Sequence, residues 1–326
     1  MSDPFGFTRL YYTAEQTGSR VRALLGTDRT LDAVAIEAHL AGGVDSSRTC
    51  FASVRAVPPG HELVRGTVRP WQPRVEAGDL GVALRAAVAR IVDAAPRPLA
   101  VALSGGLDSA IVLALVREID PTATPLVLAP RISGYSEVEA ALETARVAGA
   151  TATVLEVTAD EFRGAVPAAI AAFETPLYNL HPVSKWLLAD RARAAGFATV
   201  ISGDGADQVF TRDVSADYLP LTSAAFATAG VALVTPFLED DVIARVLAVP
   251  PDAEKRALRE FGATLTIPAA LVRDRKISRL APPTPLGISA AKLRDLAMLV
   301  GLELPASPDV RWETLALLVD SFGAWP

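Results

Sequence analysis

Cysteine is nearly absent from the 326 residues: Cys50 stands alone, so no intrachain disulfide can form and a reducing cytoplasm is the expected setting. Histidine is almost as scarce. His39, His61 and His181 are scattered, which excludes the clustered spacing of a zinc site and denies a Cys–His or Ser–His–Asp hydrolase its parts. A metal, if used, is expected to be a hard ion held by carboxylates, such as Mg²⁺. No uncharged apolar run reaches the ~18 residues of a membrane span. The stretch Met1 to Gly18 has no basic region followed by an apolar run, so neither a signal peptide nor a membrane partner is expected. A net charge of −6 gives no overall attraction for a polyanion, which argues against a nucleic-acid partner.

What is present is the makings of a large core, since 51% of residues are hydrophobic and 21% charged; that balance excludes a disordered chain. From Asp79 onward, apolar strand-like runs alternate with helical periodicity. Asp79–Val92 reads as a helix with Leu80, Leu84, Val88, Ile91 and Val92 on one face. Strands are expected at Pro98–Leu103, Leu126–Ala129, Ala152–Val157 and Ala198–Ile201. Helices are expected at Leu107–Ile119, Glu137–Ala148, near Asp160–Ala172 and at Pro182–Ala195. This alternation predicts an α/β fold, a parallel sheet with helices on both faces, whose ligands bind at the carboxyl ends of the strands. After Asp240 the chain reads as mainly helical. The first 75 residues differ, with short candidate strands at Arg9–Thr13, Cys50–Ala56 and Glu62–Arg65 and a Pro58-Pro59-Gly60 turn. Pro70-Trp71-Gln72-Pro73 reads as a linker, dividing the chain into 1–75 and 76–326.

The strongest local signal is the strand that ends in Ser104-Gly105-Gly106-Leu107-Asp108-Ser109 and runs at once into a helix. The glycines admit backbone N–H groups close to an anion, and the helix N-terminus adds partial positive charge. Asp108 is out of place beside bare phosphates but suits a ligand of the cation that neutralises them. There is no Gly-Lys-Ser/Thr of an ordinary phosphate-binding loop. A second strand, Thr199-Val200-Ile201, ends in Ser202-Gly203-Asp204-Gly205-Ala206-Asp207-Gln208. Either segment alone could be a capped turn.

Together they resemble the PP-loop ATP pyrophosphatases, and within them the asparagine synthetases and β-lactam synthetases. Thr235-Pro236-Phe237-Leu238-Glu239-Asp240, Lys255-Arg256-Ala257-Leu258-Arg259 and Arg275-Lys276 are similar to further segments of that family, in the same order. Asp3-Pro4-Phe5-Gly6 and Arg55 to Leu63 resemble the later part of its glutaminase domain. The resemblance implies a substrate carboxylate attacking the α-phosphorus of ATP, release of pyrophosphate, then attack of an amine on the acyl-adenylate with loss of AMP. It places ATP and pyrophosphate on Leu103, Ser104, Gly105, Gly106, Asp108, Ser109, Val127, Ser202 and Gly203, with Mg²⁺ on Asp108 and Asp207. Lys276 and Lys255 would offset developing negative charge near the phosphates.

The departures narrow the expectation. Ser2 stands where glutamine-dependent members carry their cysteine, and residues 1–75 read as an inactive remnant of the glutaminase-like domain. Cys50 reads as a buried structural thiol. Asp204 replaces the family's glutamate or tyrosine, and Glu239 matches the glutamate of the β-lactam synthetase dyad; Asp204 and Glu239 could together serve as the base for the amine. Gln208 replaces a glutamate of asparagine synthetases. The expected activity is an AMP-forming amide ligase whose amine lies on a small-molecule or peptide substrate bearing the carboxylate, giving a lactam or macrolactam. The alternatives are an amidotransferase using free ammonia or a partner glutaminase, and a degenerate nucleotide-binding paralogue. Tyr178, His181 and Lys185 precede the second loop, where either substrate contact or packing fits.

Overall fold

Alternate residues of the apolar strands face opposite ways, so a run with no polar position needs cover on both sides. In the computed structural model, which describes residues 5–43, 45–131, 137–213, 218–273 and 286–325, that cover is present. The amino-terminal segment supplies β1 (Tyr11–Tyr12), β2 (Thr17–Gly18) and β3 (Arg55–Ala56), paired antiparallel as β2-β1-β3. It also holds α1 (Val21–Leu24), α2 (Ala33–Leu40) and the hairpin β4 (His61–Val64) and β5 (Thr67–Pro70). The main sheet is β6 (Leu99–Ala102), β7 (Thr124–Arg131), β8 (Thr153–Thr158), β9 (Thr199–Ile201) and β10 (Ala232–Val234), all parallel in the order β10-β9-β6-β7-β8.

Helices α3 (Leu80–Ala94), α4 (Leu107–Ile119), α5 (Glu137–Val147), α6 (Ala159–Phe173), α7 (Val183–Ala194), α8 (Ala206–Thr211) and α9 (Tyr218–Ala229) are interleaved with these strands. A 3₁₀ turn at Pro236–Leu238 then leads to α10 (Asp240–Leu247), α11 (Arg256–Gly262), α12 (Ala269–Arg273), α13 (Ala290–Val300) and α14 (Val310–Phe322). Leu99 and Val101 point into one apolar cluster with α3, α4 and α10. Ala100 and Ala102 point into the other, with α6, α7, α9 and α14. The expected α/β fold with both faces covered is what forms.

Expected and observed elements differ where side chains redirect the backbone. The strand expected at Cys50–Ala56 shortens to Arg55–Ala56. The Thr49 hydroxyl accepts from the Phe51 N–H (3.1 Å) and contacts the Val54 carbonyl oxygen (2.9 Å), folding residues 49–54 into a turn. Strand β5 follows Arg65 and Gly66, both at positive φ, which close a tight hairpin. Tyr11, Val21, Ile36, Phe51 and Val54 share the apolar cluster of α6, α7 and α14, with the Phe51 and Phe322 rings 4.5 Å apart. The buried Glu174 clamps this seam, accepting from Val21 N at 2.6 Å and from Arg20 Nε at 3.1 Å.

The strand order sets the position of the chemistry. From β6 the chain moves outward through β7 and β8, then returns to the other side of β6 for β9 and β10. The direction therefore reverses between β6 and β9, and such a switch point leaves a crevice at the carboxyl ends of the strands. Among the described residues no helix is long and apolar enough to cross a membrane.

Candidate active site

Both glycine-rich segments emerge into this crevice because β6 and β9 are neighbours, with Val101 opposite Ile201. In the first segment the Ser109 hydroxyl donates to the Gly106 carbonyl (3.1 Å) and accepts from Ser104 N–H (3.2 Å), which curls the chain before α4. Gly105 has φ +71°, and a Cβ there would lie 2.8 Å from the Glu137 carbonyl oxygen, so α5 seats directly on the loop. Gly203 seats the second segment on the first: a Cβ would come within 2.8 Å of Ser109 N and 2.9 Å of the Asp108 carbonyl carbon. Side-chain-free backbone at both positions is the price of this close approach.

Asp108 and Asp207 thereby face one point, and Lys255 occupies it. Lys255 Nζ lies 2.7 Å from Asp108 Oδ2 and 2.5 Å from Asp207 Oδ1. Lys255 precedes α11 and has φ +51°, ψ +46°, a left-handed conformation unusual for a residue with a side chain. The turn is held by Asp252, whose carboxylate accepts from Glu254 N (2.9 Å) and Arg256 N (2.7 Å). Gly262 in turn lets α11 lie on α4, a Cβ there being 3.3 Å from Leu107 Cδ1. Burial opposes charge on Lys255, but Asp108 and Asp207 outweigh it and hold its pKa above the usual lysine value.

The expected base residues fall into separate pairs. Lys185, in the first turn of α7, places Nζ 2.8 Å from each oxygen of Asp204, and the Ser202 hydroxyl donates to Asp204 Oδ2 at 2.8 Å. Glu239 is instead joined to Arg90 of α3 at 3.3 Å. The structure thus brings Asp108, Asp207 and Lys255 together and assigns Asp204 and Glu239 different cations. Leu103 and Val127 are buried beside the first loop's strand, and Ser202 is buried at the end of β9. Lys276 and Ser2 lie outside the described residues. The chain flanking 274–285 is held at both ends: Arg259 Nη1 donates to the Leu271 and Val272 carbonyls (3.2 and 2.8 Å). Glu313 accepts from Leu286 N and Gly287 N (2.9 and 3.1 Å). Cys50 is buried and its thiol is pushed up to about 12 by burial, then by Asp32, so it is not a thiolate nucleophile.

Sequence reasoning missed Asp252, Glu313 and the Lys185–Asp204 pair. The first could have been found as an acid shortly before a helix; the other two link residues far apart in the chain and carry no local pattern.

The donor set suits a small hard cation. Two carboxylates converge on one ammonium beside the glycine-rich loop of Ser104–Ser109, and Mg²⁺ commonly takes one or two carboxylates with phosphate oxygens and water. Among the described residues no group of three or more His, Cys, Asp or Glu side chains could hold a metal by itself.

The site therefore sits on a parallel α/β sheet with two glycine-rich loops side by side at its switch point. Residues 79–212 match the asparagine synthase family model, a stretch that contains both loops. The chain is 27% identical over 232 residues to the glutamine-hydrolysing asparagine synthetase 1 of Bacillus subtilis, covering 64% of this chain and 36% of that protein. It is 25% identical over 258 residues to the amidase chyE of Penicillium rubens, with the same coverage. The chain thus spans little more than a third of the length of the curated relatives it matches. Among solved structures, NMN synthetase from Francisella tularensis overlays with a TM-score of 0.40 at 14% identity, covering 76% of this chain and 94% of that one. The ammonia-dependent NAD synthetase of Campylobacter jejuni gives 0.38 at 16%, covering 75% and 92%. Residues 79–212 are thus similar to the asparagine synthase domain, and both glycine-rich loops lie within that stretch.

Proposed function

We propose that this protein is an ATP-dependent, AMP-forming amide ligase. The observation that carries the reading is the convergence of Asp108 and Asp207, from adjacent loops at the sheet's switch point, beside the Ser104–Ser109 cradle. Backbone N–H groups of the cradle and the N-terminus of α4 bind the pyrophosphate portion of ATP, and Ser104 and Ser109 add hydroxyl donors. Asp108 and Asp207 would hold Mg²⁺, which would supply charge neutralisation for the departing pyrophosphate. A substrate carboxylate attacks the α-phosphorus; the bond to the bridging oxygen breaks and pyrophosphate leaves. Lys255, whose ammonium is already in this pocket, offsets the negative charge that accumulates there, and Lys276 is proposed to act with it.

An amine then attacks the acyl carbon, forming the amide and releasing AMP. We assign the amine to the substrate itself, giving a lactam or macrolactam. One observation and one general argument support this: the single thiol among the 326 residues is buried and protonated, and an intramolecular attack gains a large entropic advantage. Asp204 accepts three hydrogen bonds, from Lys185 twice and Ser202 once, leaving about one of a carboxylate's four acceptor positions for an amine proton. A second reading, an amidotransferase using free ammonia or ammonia from a partner glutaminase, is supported by the similarity to the glutamine-hydrolysing asparagine synthetase of Bacillus subtilis.

Incubation with ATP, Mg²⁺ and amino-acid or peptide carboxylates should release AMP and pyrophosphate in equal amounts. Release of ADP and phosphate would overturn the ligase reading. Stimulation by ammonium with L-aspartate, giving L-asparagine, would select the second.

A further inference from the structure

Lys255 occupies the point at which the two carboxylates meet, and the occupancy has consequences for metal binding. Its side chain is only 12% exposed, and the same ammonium serves Asp108 at 2.7 Å and Asp207 at 2.5 Å. The three charges sum to −1. A divalent cation drawn to the same oxygens meets a positive charge a few ångströms away in a partly buried site, where repulsion is weakly screened.

We infer that Lys255 is an internal stand-in for the metal, and that the site takes up a divalent cation only when a phosphate-bearing ligand gives the displaced ammonium a new anionic partner. The inference rests on the reading of Asp108 and Asp207 as metal ligands. Three observations bear on it. The ammonium is tethered at a fixed place, because Asp252 and the left-handed turn fix Lys255 at the start of α11 and Gly262 seats α11 on α4. A flexible four-carbon stem nevertheless lets the charge swing from the carboxylates toward the cradle without moving the backbone. Asp207 is 72% exposed, so one side of the bridge opens to solvent and an exchange route exists. One ammonium lies within 2.7 Å of both carboxylates, so displacing it from them calls for a new anionic partner. A simple metal site would bind Mg²⁺ first and recruit nucleotide afterwards; a site closed by its own lysine accepts the metal together with the phosphates.

Mn²⁺ serves as the probe, with binding read by the loss of its free electron paramagnetic resonance signal. The wild-type chain with Mn²⁺ alone should show weak binding, and a non-hydrolysable ATP analogue should bring uptake of metal that Asp108→Asn abolishes. Lys255→Met should bind Mn²⁺ alone at least about tenfold more tightly than wild type, as expected when a neighbouring positive charge is removed. Lys255→Arg, which keeps the charge, should stay close to wild type. Adding Asp108→Asn to Lys255→Met should remove the gain. Circular dichroism and thermal melts establish that each variant is folded, and Lys255→Gln replaces Lys255→Met if the latter is not. Tight, Asp108-dependent binding of Mn²⁺ by the wild type without nucleotide overturns the inference, as does a folded Lys255→Met no tighter than wild type. Absence of AMP formation with every carboxylate would sink the ligase reading and leave these metal-only measurements standing.

Discussion

The crevice and the amino-terminal seam use the same side chains to opposite ends. At the seam, Glu174 is enclosed and its oxygens accept from Arg20 and from Val21 N, while Asp32 accepts from Ala35 N and pairs with Arg48 and Arg55. In the crevice, one lysine serves two carboxylates, leaving a net negative charge, and one carboxylate faces solvent. Buried charge that is fully paired fixes one arrangement of the chain, whereas charge left unbalanced and reachable is available to a ligand. The seam therefore should govern stability and the crevice activity.

Exchange of a crevice carboxylate gives the largest expected effect. Asp108→Ala should lower pyrophosphate release by about 10³-fold or more while leaving the melting temperature within a few degrees of wild type. Equal loss of activity and stability would erase the distinction between the two regions. At the seam the reverse is expected: Glu174→Ala should destabilise the fold by about 2–4 kcal/mol in denaturant titration, because it strips partners from Arg20 and the start of α1.

His39 makes the seam sensitive to acid. It lies on α2, and burial holds its pKa at about 4, below the usual 6.5. The folded state therefore keeps the ring neutral where the unfolded chain binds a proton. Stability is fully present above pH 6.5 and is lost as pH falls toward 4, by about 3 kcal/mol at the low end. In urea titrations at several pH values, His39→Phe should flatten the wild-type loss across this window; parallel profiles would place the acid sensitivity elsewhere. The smallest effect compares the two lysines. Lys185→Met strands Asp204, which is 14% exposed, and should destabilise by about 1–3 kcal/mol. Lys255→Met strands Asp108, 23% exposed, but leaves Asp207, 72% exposed, in water, and should destabilise less, by about 0.5–1.5 kcal/mol. Equal melting shifts would mean that both pairs are structural.

The parallel sheet was legible because β6 has no polar position and β9 only Thr199, and helix α4 because it follows Gly106 without a break. Strand β10 and helix α9 were not expected: the strand is three residues long, and an apolar helix buried on several sides shows little periodicity. The two loops stood out because glycines and an aspartate fall within a few residues of each strand's end, the combination that the proposed phosphate and cation site needs. Pairings were harder to foresee. Asp204 and Glu239 were expected to act together; the pairing partners each one has, Lys185 on the helix that precedes β9 for Asp204 and Arg90 for Glu239, had no signature in the sequence.

The sequence by itself determined the chemistry on offer: a nearly thiol-free chain, two glycine-rich turns each followed by an aspartate, and the α/β alternation that puts such turns at strand ends. Only the tertiary structure decided which charges meet. Sheet order places β9 beside β6 although about a hundred residues separate them, Gly203 closes the gap between the loops, and α11 carries Lys255 to the point between the two aspartates. Local backbone rules act over a turn or a strand, whereas an ion pair forms wherever packing brings two charges within a few ångströms, and packing is a property of the whole chain.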